Sequence, residues 1–411
     1  MAILSDLRAM TLESVRETPA LAAPEPAFHP EDGLNRAEAT SIALTWNPEL
    51  RAFRAEAGVA AAQLVEAGLF PDPALGWDAV DWLVGRTGDD ALTGFSIRFP
   101  LPAPGVIPAR EGIARGRVEE VHWLILGREW LLKRRVDLAF LGVLAAQARL
   151  ALNGRLQEIA RKTHDFFARG RAVGAATALQ ENLARLDLAQ VERDGRRLEL
   201  EVRRARQNLN SLLGLPPETE FELQTPKDPF AVSASLPSAS EVTALAVKFR
   251  PDLKELLAVY HQSEENLRLQ IARQWPLFAL GTGLDLILPV FSRFNQPAIR
   301  TAREARERIA REVEAEIHRL RAEVFQAVVQ QEIALDQVNF FRQEIEPQLE
   351  ESLRLSEEAL RQGEATLVEI LTAQSQVLNA RQQFLEARIE NARARTVVAW
   401  VSGQNSTSQQ P

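Results

Sequence analysis

The sequence predicts a mainly α protein of long antiparallel coiled-coil helical hairpins, made by internal duplication, with a small β-hairpin region in each copy. Three observations predict it. Prolines and glycines recur at two constant offsets, the runs between them are rich in strong helix formers, and one stretch of each copy switches to strict alternation.

The offset comes first, because a missed repeat misreads the whole fold. "NPEL" at 47–50 returns as "RPDL" at 250–253, and Pro73 returns as Pro276, both 203 positions on. Pro100, Pro108, Gly174, Thr177 and Gly214 return 189 positions later as Pro289, Pro297, Gly363, Thr366 and Gly403. A register kept through five such residues sets two repeats, 36–232 and 233–404. The flanking segments 1–35 and 405–411 are expected to be disordered.

Residues 109–169 and 298–361 are dominated by Ala, Leu, Glu, Arg and Gln, the residues that lose least on entering a helix. Each run would extend roughly 90 Å at 1.5 Å per residue. Between Gly363 and the C-terminus, Ile370, Val377 and Phe384 recur every seven residues, as do Leu371, Leu378 and Leu385. That period implies left-handed coiled-coil packing.

The runs meet at two short breaks, the tips 171–177 and 361–366, where "AVGAAT" and "QGEAT" each place a threonine three residues after a glycine. Gly174 and Gly363 suit the left-handed residue that ends one helix, and Thr177 and Thr366 suit the cap that starts the next. Each tip therefore reads as a helical hairpin turn.

Elsewhere in each copy the period changes. In "ALTGFSIRFPL", residues 91–101, Phe95, Ile97 and Phe99 fall on one face and Gly94, Ser96 and Arg98 on the other. With "ALGWDAVDWL" and the turn-forming "GRTGDD" before it, this makes a β-hairpin over 74–101. Its strands, of about ten residues, are long enough to cross a bilayer. A small soluble sheet would alternate in the same way.

Composition narrows the function classes. The net charge of -8 offers no global attraction to nucleic acid. No cysteine is present, so disulfides, thiolate metal sites and catalytic thiols are excluded, and the five histidines lack metal-ligand spacing. No hydrolase elbow, phosphate-binding glycine loop or zinc motif occurs, so neither an enzyme nor a cofactor is expected. No apolar run approaches the roughly 20 residues of a membrane-spanning helix, and the first residues show no secretory apolar core.

Three stretches carry a resemblance to a known family. "NPELRAFRAEAGVAAAQLVEAGLFPDPAL" (47–75), "LNSLLGLPPETEFEL" (209–223) and "GEATLVEILTAQSQVLNARQQFLEARIENARA" (363–394), in this order on a duplicated layout, resemble the outer-membrane efflux channels of the TolC type. The resemblance covers nearly everything from 36 to 404.

What it implies is a homotrimer in the outer membrane with a periplasmic extension. Each protomer would give strands to a shared β-barrel, with Phe95, Ile97 and Phe99 facing lipid. The helices would form a passive conduit served by an inner-membrane pump and a periplasmic adaptor. The family's Val-Gly-x-x-Thr docking tip is matched fully by Val173, Gly174 and Thr177, and partly by Gln362, Gly363 and Thr366. Glu369 matches an acidic ring at the periplasmic entrance, and Thr372 stands where a second acidic residue often lies. Turn, cap and solvated-face roles explain the same residues equally well.

The sequence also departs from the family. Pro73 and Pro100 enclose 26 residues, whereas Pro276 and Pro289 enclose only 12, "LFALGTGLDLIL". A pair of crossing strands needs about 18–22 residues before any turn. The shortened segment 277–288 therefore reads as a stubby hairpin with arms of about four residues. A truncated relative, acting only as a soluble coiled-coil protein without transport, is the competing expectation.

Overall fold

The computed structural model describes residues 33–77, 95–232, 236–280, 284–287, 293–362 and 367–403. Helices dominate, and their order repeats. The first repeat runs α1 (Arg36–Trp46), α2 (Pro48–Ala67), β1 (Ala74–Trp77), β2 (Phe95–Leu101), α3 (Val106–Ala172) and α4 (Ala178–Leu213). The second runs α5 (Ala239–Phe249), α6 (Pro251–Ala272), β3 (Leu277–Leu280), β4 (Leu284–Ile287), α7 (Gln296–Phe340), α8 (Glu346–Gln362) and α9 (Leu367–Val401).

Local chemistry sets the boundaries. Asn35 caps α1 through a reciprocal box: its side chain accepts from the Glu38 N–H at 2.9 Å, and the Glu38 carboxylate accepts from the Asn35 N–H at 3.0 Å. Pro48 and Pro251 open α2 and α6, positions where a missing N–H costs nothing. Gly214 ends α4 at φ 75°, and Gly403 takes φ 72° at the matching place. No other residue fits at 214, because an added Cβ would lie 2.6 Å from the Trp46 carbonyl oxygen.

The repeats differ at one point of helix geometry. The long helix α3 is continuous for 67 residues, whereas its counterpart contains a π-helical turn, Phe341–Ile345, between α7 and α8. There the buried Phe341 stacks on Phe384, with ring centroids 4.9 Å apart. The heptad positions Val377 and Leu378 are also buried.

The chain divides into two compact units. One joins Glu49–Arg128 to Arg250–Arg319 and contains the sheet. Its strands run in the order β1-β2-β3-β4, all antiparallel, and Phe99 of β2 pairs with Leu280 of β3. Ala103, Val106, Ala109, Leu269 and Ala272 form a small core. Gln262 ties α6 to α3 by donating to the Gly116 carbonyl at 3.1 Å and to Glu120 at 2.6 Å.

The other unit joins the described residues up to Pro48 to Glu129–Phe249 and to Leu320 onward. Val242, Ala246, Leu320, Val324, Ala327, Val398 and Val401 form its apolar cluster, next to a stack of Trp130 on Trp400 at 4.2 Å. Arg149 of α3 grips both carboxylate oxygens of Glu386 on α9 at 2.6 Å and Glu201 on α4 at 2.7 Å. Arg388 and Arg395 hold the segment 228–231 against α9 through the Phe230 and Ala231 carbonyls.

Two expectations are corrected. Leu34, assigned from sequence to a disordered segment, is 1% exposed and bridges Leu223, its N–H donating to Glu222 and its carbonyl accepting from Gln224. The apolar strand-like pairing, not helix propensity, orders it. Further, α3 contains an 18-residue window apolar enough to cross a membrane, though no uninterrupted apolar run reveals it. Half of that window is buried inside the fold, as befits a packed helix.

Candidate functional site

The sheet presents one apolar face. Side chains alternate along a strand, and directly paired residues share a face. Ile97, Phe99 and Leu101 of β2 therefore lie on the same side as Phe278 and Leu280 of β3, their register partners being Phe99↔Leu280 and Leu101↔Phe278. All five are between 41% and 55% exposed. On the opposite side Ala279 is buried. Such a contiguous exposed apolar surface marks an interaction site. Phe95 pairs with Trp77 through its backbone.

The second hairpin has the short arms expected of it. Leu277–Leu280 pairs with Leu284–Ile287, from Leu277↔Ile287 to Leu280↔Leu284. Four residues rise about 13 Å, against an apolar band of about 25 Å in an outer-membrane barrel.

The first tip is also built as expected. Gly174 takes φ 73°, and the carbonyl of Gly170 accepts from the Ala175 N–H at 2.7 Å, ending α3. Thr177 caps α4 in a box with Gln180: its hydroxyl accepts from the Gln180 N–H at 3.2 Å, and the Gln180 side-chain oxygen accepts from the Thr177 N–H at 2.8 Å. Val173, at 79% exposure, is turned wholly outward. The space beside Gly174 is open, with nothing within 4 Å of where a Cβ would stand.

Sequence reading missed a neighbouring stripe. Leu179, Leu183 and Leu186 on α4 are all more than half exposed and follow a spacing of four and three, so they share one helix face. Their heptad spacing was the available signal.

At the second tip, Gln362 is exposed and its amide nitrogen lies 3.4 Å from Glu358. Gly363 and Thr366 lie outside the described residues. Glu369 and Thr372 are exposed in the first turns of α9, three residues apart and hence on one face. Among the described residues no cluster of His, Asp or Glu side chains has the makings of a metal site.

An apolar-faced antiparallel sheet joined to very long helical hairpins defines the fold class of outer-membrane channels. Solved structures agree. The chain is similar to the outer-membrane channel OprN, with a TM-score of 0.73 at 16% identity over 90% of each chain. It is similar also to the open state of the Neisseria gonorrhoeae MtrE outer membrane channel, with a TM-score of 0.71 at 17% identity over 89% of this chain and 88% of that one. The outer membrane protein VceC of Vibrio cholerae gives a TM-score of 0.71 at 13% identity, covering 90% and 96% of the two chains.

Residues 277–403 match the sequence model of the family described as outer membrane efflux protein. The resemblance of the chain to the TolC-type outer-membrane efflux family is thus shown, in the second repeat by sequence and over nine-tenths of the chain by fold. No curated protein matches the chain significantly.

Proposed function

We propose that this chain is the outer-membrane conduit of a tripartite efflux system, working as a homotrimer with a periplasmic adaptor and an inner-membrane pump. The observation that carries the proposal is the apolar sheet face of Ile97, Phe99, Leu101, Phe278 and Leu280 on a chain otherwise built of helical hairpins. In a shared barrel that face meets lipid, and closure between protomers covers the backbone edges that lipid would not tolerate.

In this reading Val173, Gly174 and Thr177, with Gln362, Gly363 and Thr366, receive the adaptor. The open backbone beside Gly174 supports close approach by a partner helix. Glu369 would ring the periplasmic entrance in three symmetry-related copies, with Thr372 on the same face, and favour cations in a narrow pore. No bond is made or broken, so the channel acts as a passive path and the pump supplies the energy.

The four-residue arms of β3 and β4 favour a second reading, a truncated relative that remains soluble. Membrane fractionation combined with chemical crosslinking separates the two. The conduit requires recovery in the outer-membrane fraction as a crosslinkable trimer, and recovery only as a soluble monomer would contradict it.

A further inference from the structure

The junction leading into the long helix is built differently in the two repeats. In the first, Gly105 takes φ 89°. At the same offset of 189 (105 + 189 = 294) the second repeat has Phe294, and Arg293, Phe294 and Asn295 take φ of 51°, 51° and 61°. Side chains are strained in this left-handed region, which L residues visit singly rather than in runs. A glycine relieves such strain at no loss of connection, yet here three side chains are kept.

Asn295 fixes the turn in place. Its amide donates to the Gln270 carbonyl at 2.7 Å and lies 3.2 Å from the Gln270 side-chain oxygen. The turn is thereby pinned to the end of α6, where Arg273 is the capping residue. Around this contact Trp275 is 62% exposed, Phe294 48% and Ile271 44%. Arg273 and Arg293 are exposed as well, and among the described residues neither has an ion-pair partner. Trp275 stands two residues before β3, so the cluster adjoins the end of that strand.

We propose that Arg273, Trp275, Arg293 and Phe294 form a binding site for the phosphate headgroup of an anionic phospholipid, in the leaflet adjoining the helices. The proposal rests on the membrane reading of the sheet. Aromatic rings beside arginines suit the headgroup layer, with the rings at the apolar boundary and the guanidiniums on phosphate oxygens. The strained turn holds Arg293 and Phe294 out to meet that layer, strain retained where a surface is in use. The first repeat is not equivalent. Leu69 and Phe70 are exposed before β1, but Asp72 stands where the second repeat has Trp275 (72 + 203 = 275), and Phe70 where it has Arg273. Headgroup selectivity therefore belongs to the second-repeat side.

The test is flotation of the full chain with vesicles of phosphatidylcholine alone or mixed with phosphatidylglycerol. Wild type is expected to bind the anionic vesicles about tenfold more tightly. R273Q/R293Q loses that preference while still binding phosphatidylcholine, and R273K/R293K keeps most of it. A preference that survives in R273Q/R293Q overturns the proposal. So does saturable binding of inorganic phosphate by the wild type without vesicles that is lost in R273Q/R293Q, since the site would then be one for free phosphate. Equal binding of wild type to both vesicles sinks this inference alone, whereas binding to neither sinks the membrane reading with it.

Discussion

Phe99 of the first repeat and Leu280 of the second sit directly opposite each other across β2 and β3, both about half exposed on the same face. One residue pair thus joins the two repeats and carries the surface assigned to lipid. A charge on that surface is costly in a membrane, about 2–4 kcal/mol for Arg or Lys at mid-depth, and nearly free in water. F99K is therefore expected to reduce outer-membrane recovery severalfold without lowering the thermal stability of any soluble chain. Equal recovery of F99K and wild type would count against the lipid assignment.

At the first tip the docking and capping roles separate by mutation. Val173 is 79% exposed, so V173D should leave the thermal midpoint unchanged while abolishing capture of the adaptor. T177A removes the box with Gln180 and should cost about 1 kcal/mol of stability. If V173D binds adaptor as wild type does, the tip is only a turn.

The Arg149 fork ties α3 to α4 and α9 at once. Its carboxylate partners are each more than two-fifths exposed, so solvent screens the pair and the expected loss in R149A is modest, about 1–2 kcal/mol. R149K should recover little, because a point charge cannot serve both edges of Glu386. Chemical denaturation of the three proteins measures this. Equal midpoints would show that the fork contributes nothing.

Glu255 supplies a pH signature. Burial pushes its carboxyl up, the negative charges of Glu120 and Asp252 add to this, and Arg128 and Arg117 oppose it. The folded chain then holds the proton more tightly than the unfolded one does. The carboxyl thus begins to destabilise the fold as pH rises above the ordinary unfolded value, about 4.3. E255Q is expected to be more stable than wild type at pH 7, with the difference vanishing below about pH 4. Paired thermal melts across pH decide it, and a gap that widens toward low pH would contradict the assignment.

Much of this architecture was legible in the sequence, because proline and glycine act locally. Gly174 takes the left-handed backbone its position demanded, and the 12 residues between Pro276 and Pro289 set the length of the short hairpin. Alternation placed Ile97 and Phe99 on one face, but it could not say that Leu280 would join them. Strand pairing across 181 positions (280 - 99) is a tertiary event. The left-handed turn at Arg293–Asn295 was invisible for a related reason: no glycine marks it, and a hydrogen bond from Asn295 to Gln270, 25 residues away, helps to hold it. "FRQEI" likewise bears no local sign of a π-helical turn. Gly363 and Thr366 remain expectations from sequence.

The lack of any cysteine allows the most direct measurement. F99C and R98C place single thiols on opposite faces of β2, to be labelled in intact membranes by a water-soluble maleimide. Position 98 is expected to label readily while position 99 stays protected until detergent is added. Equal labelling of both in intact membranes would contradict it.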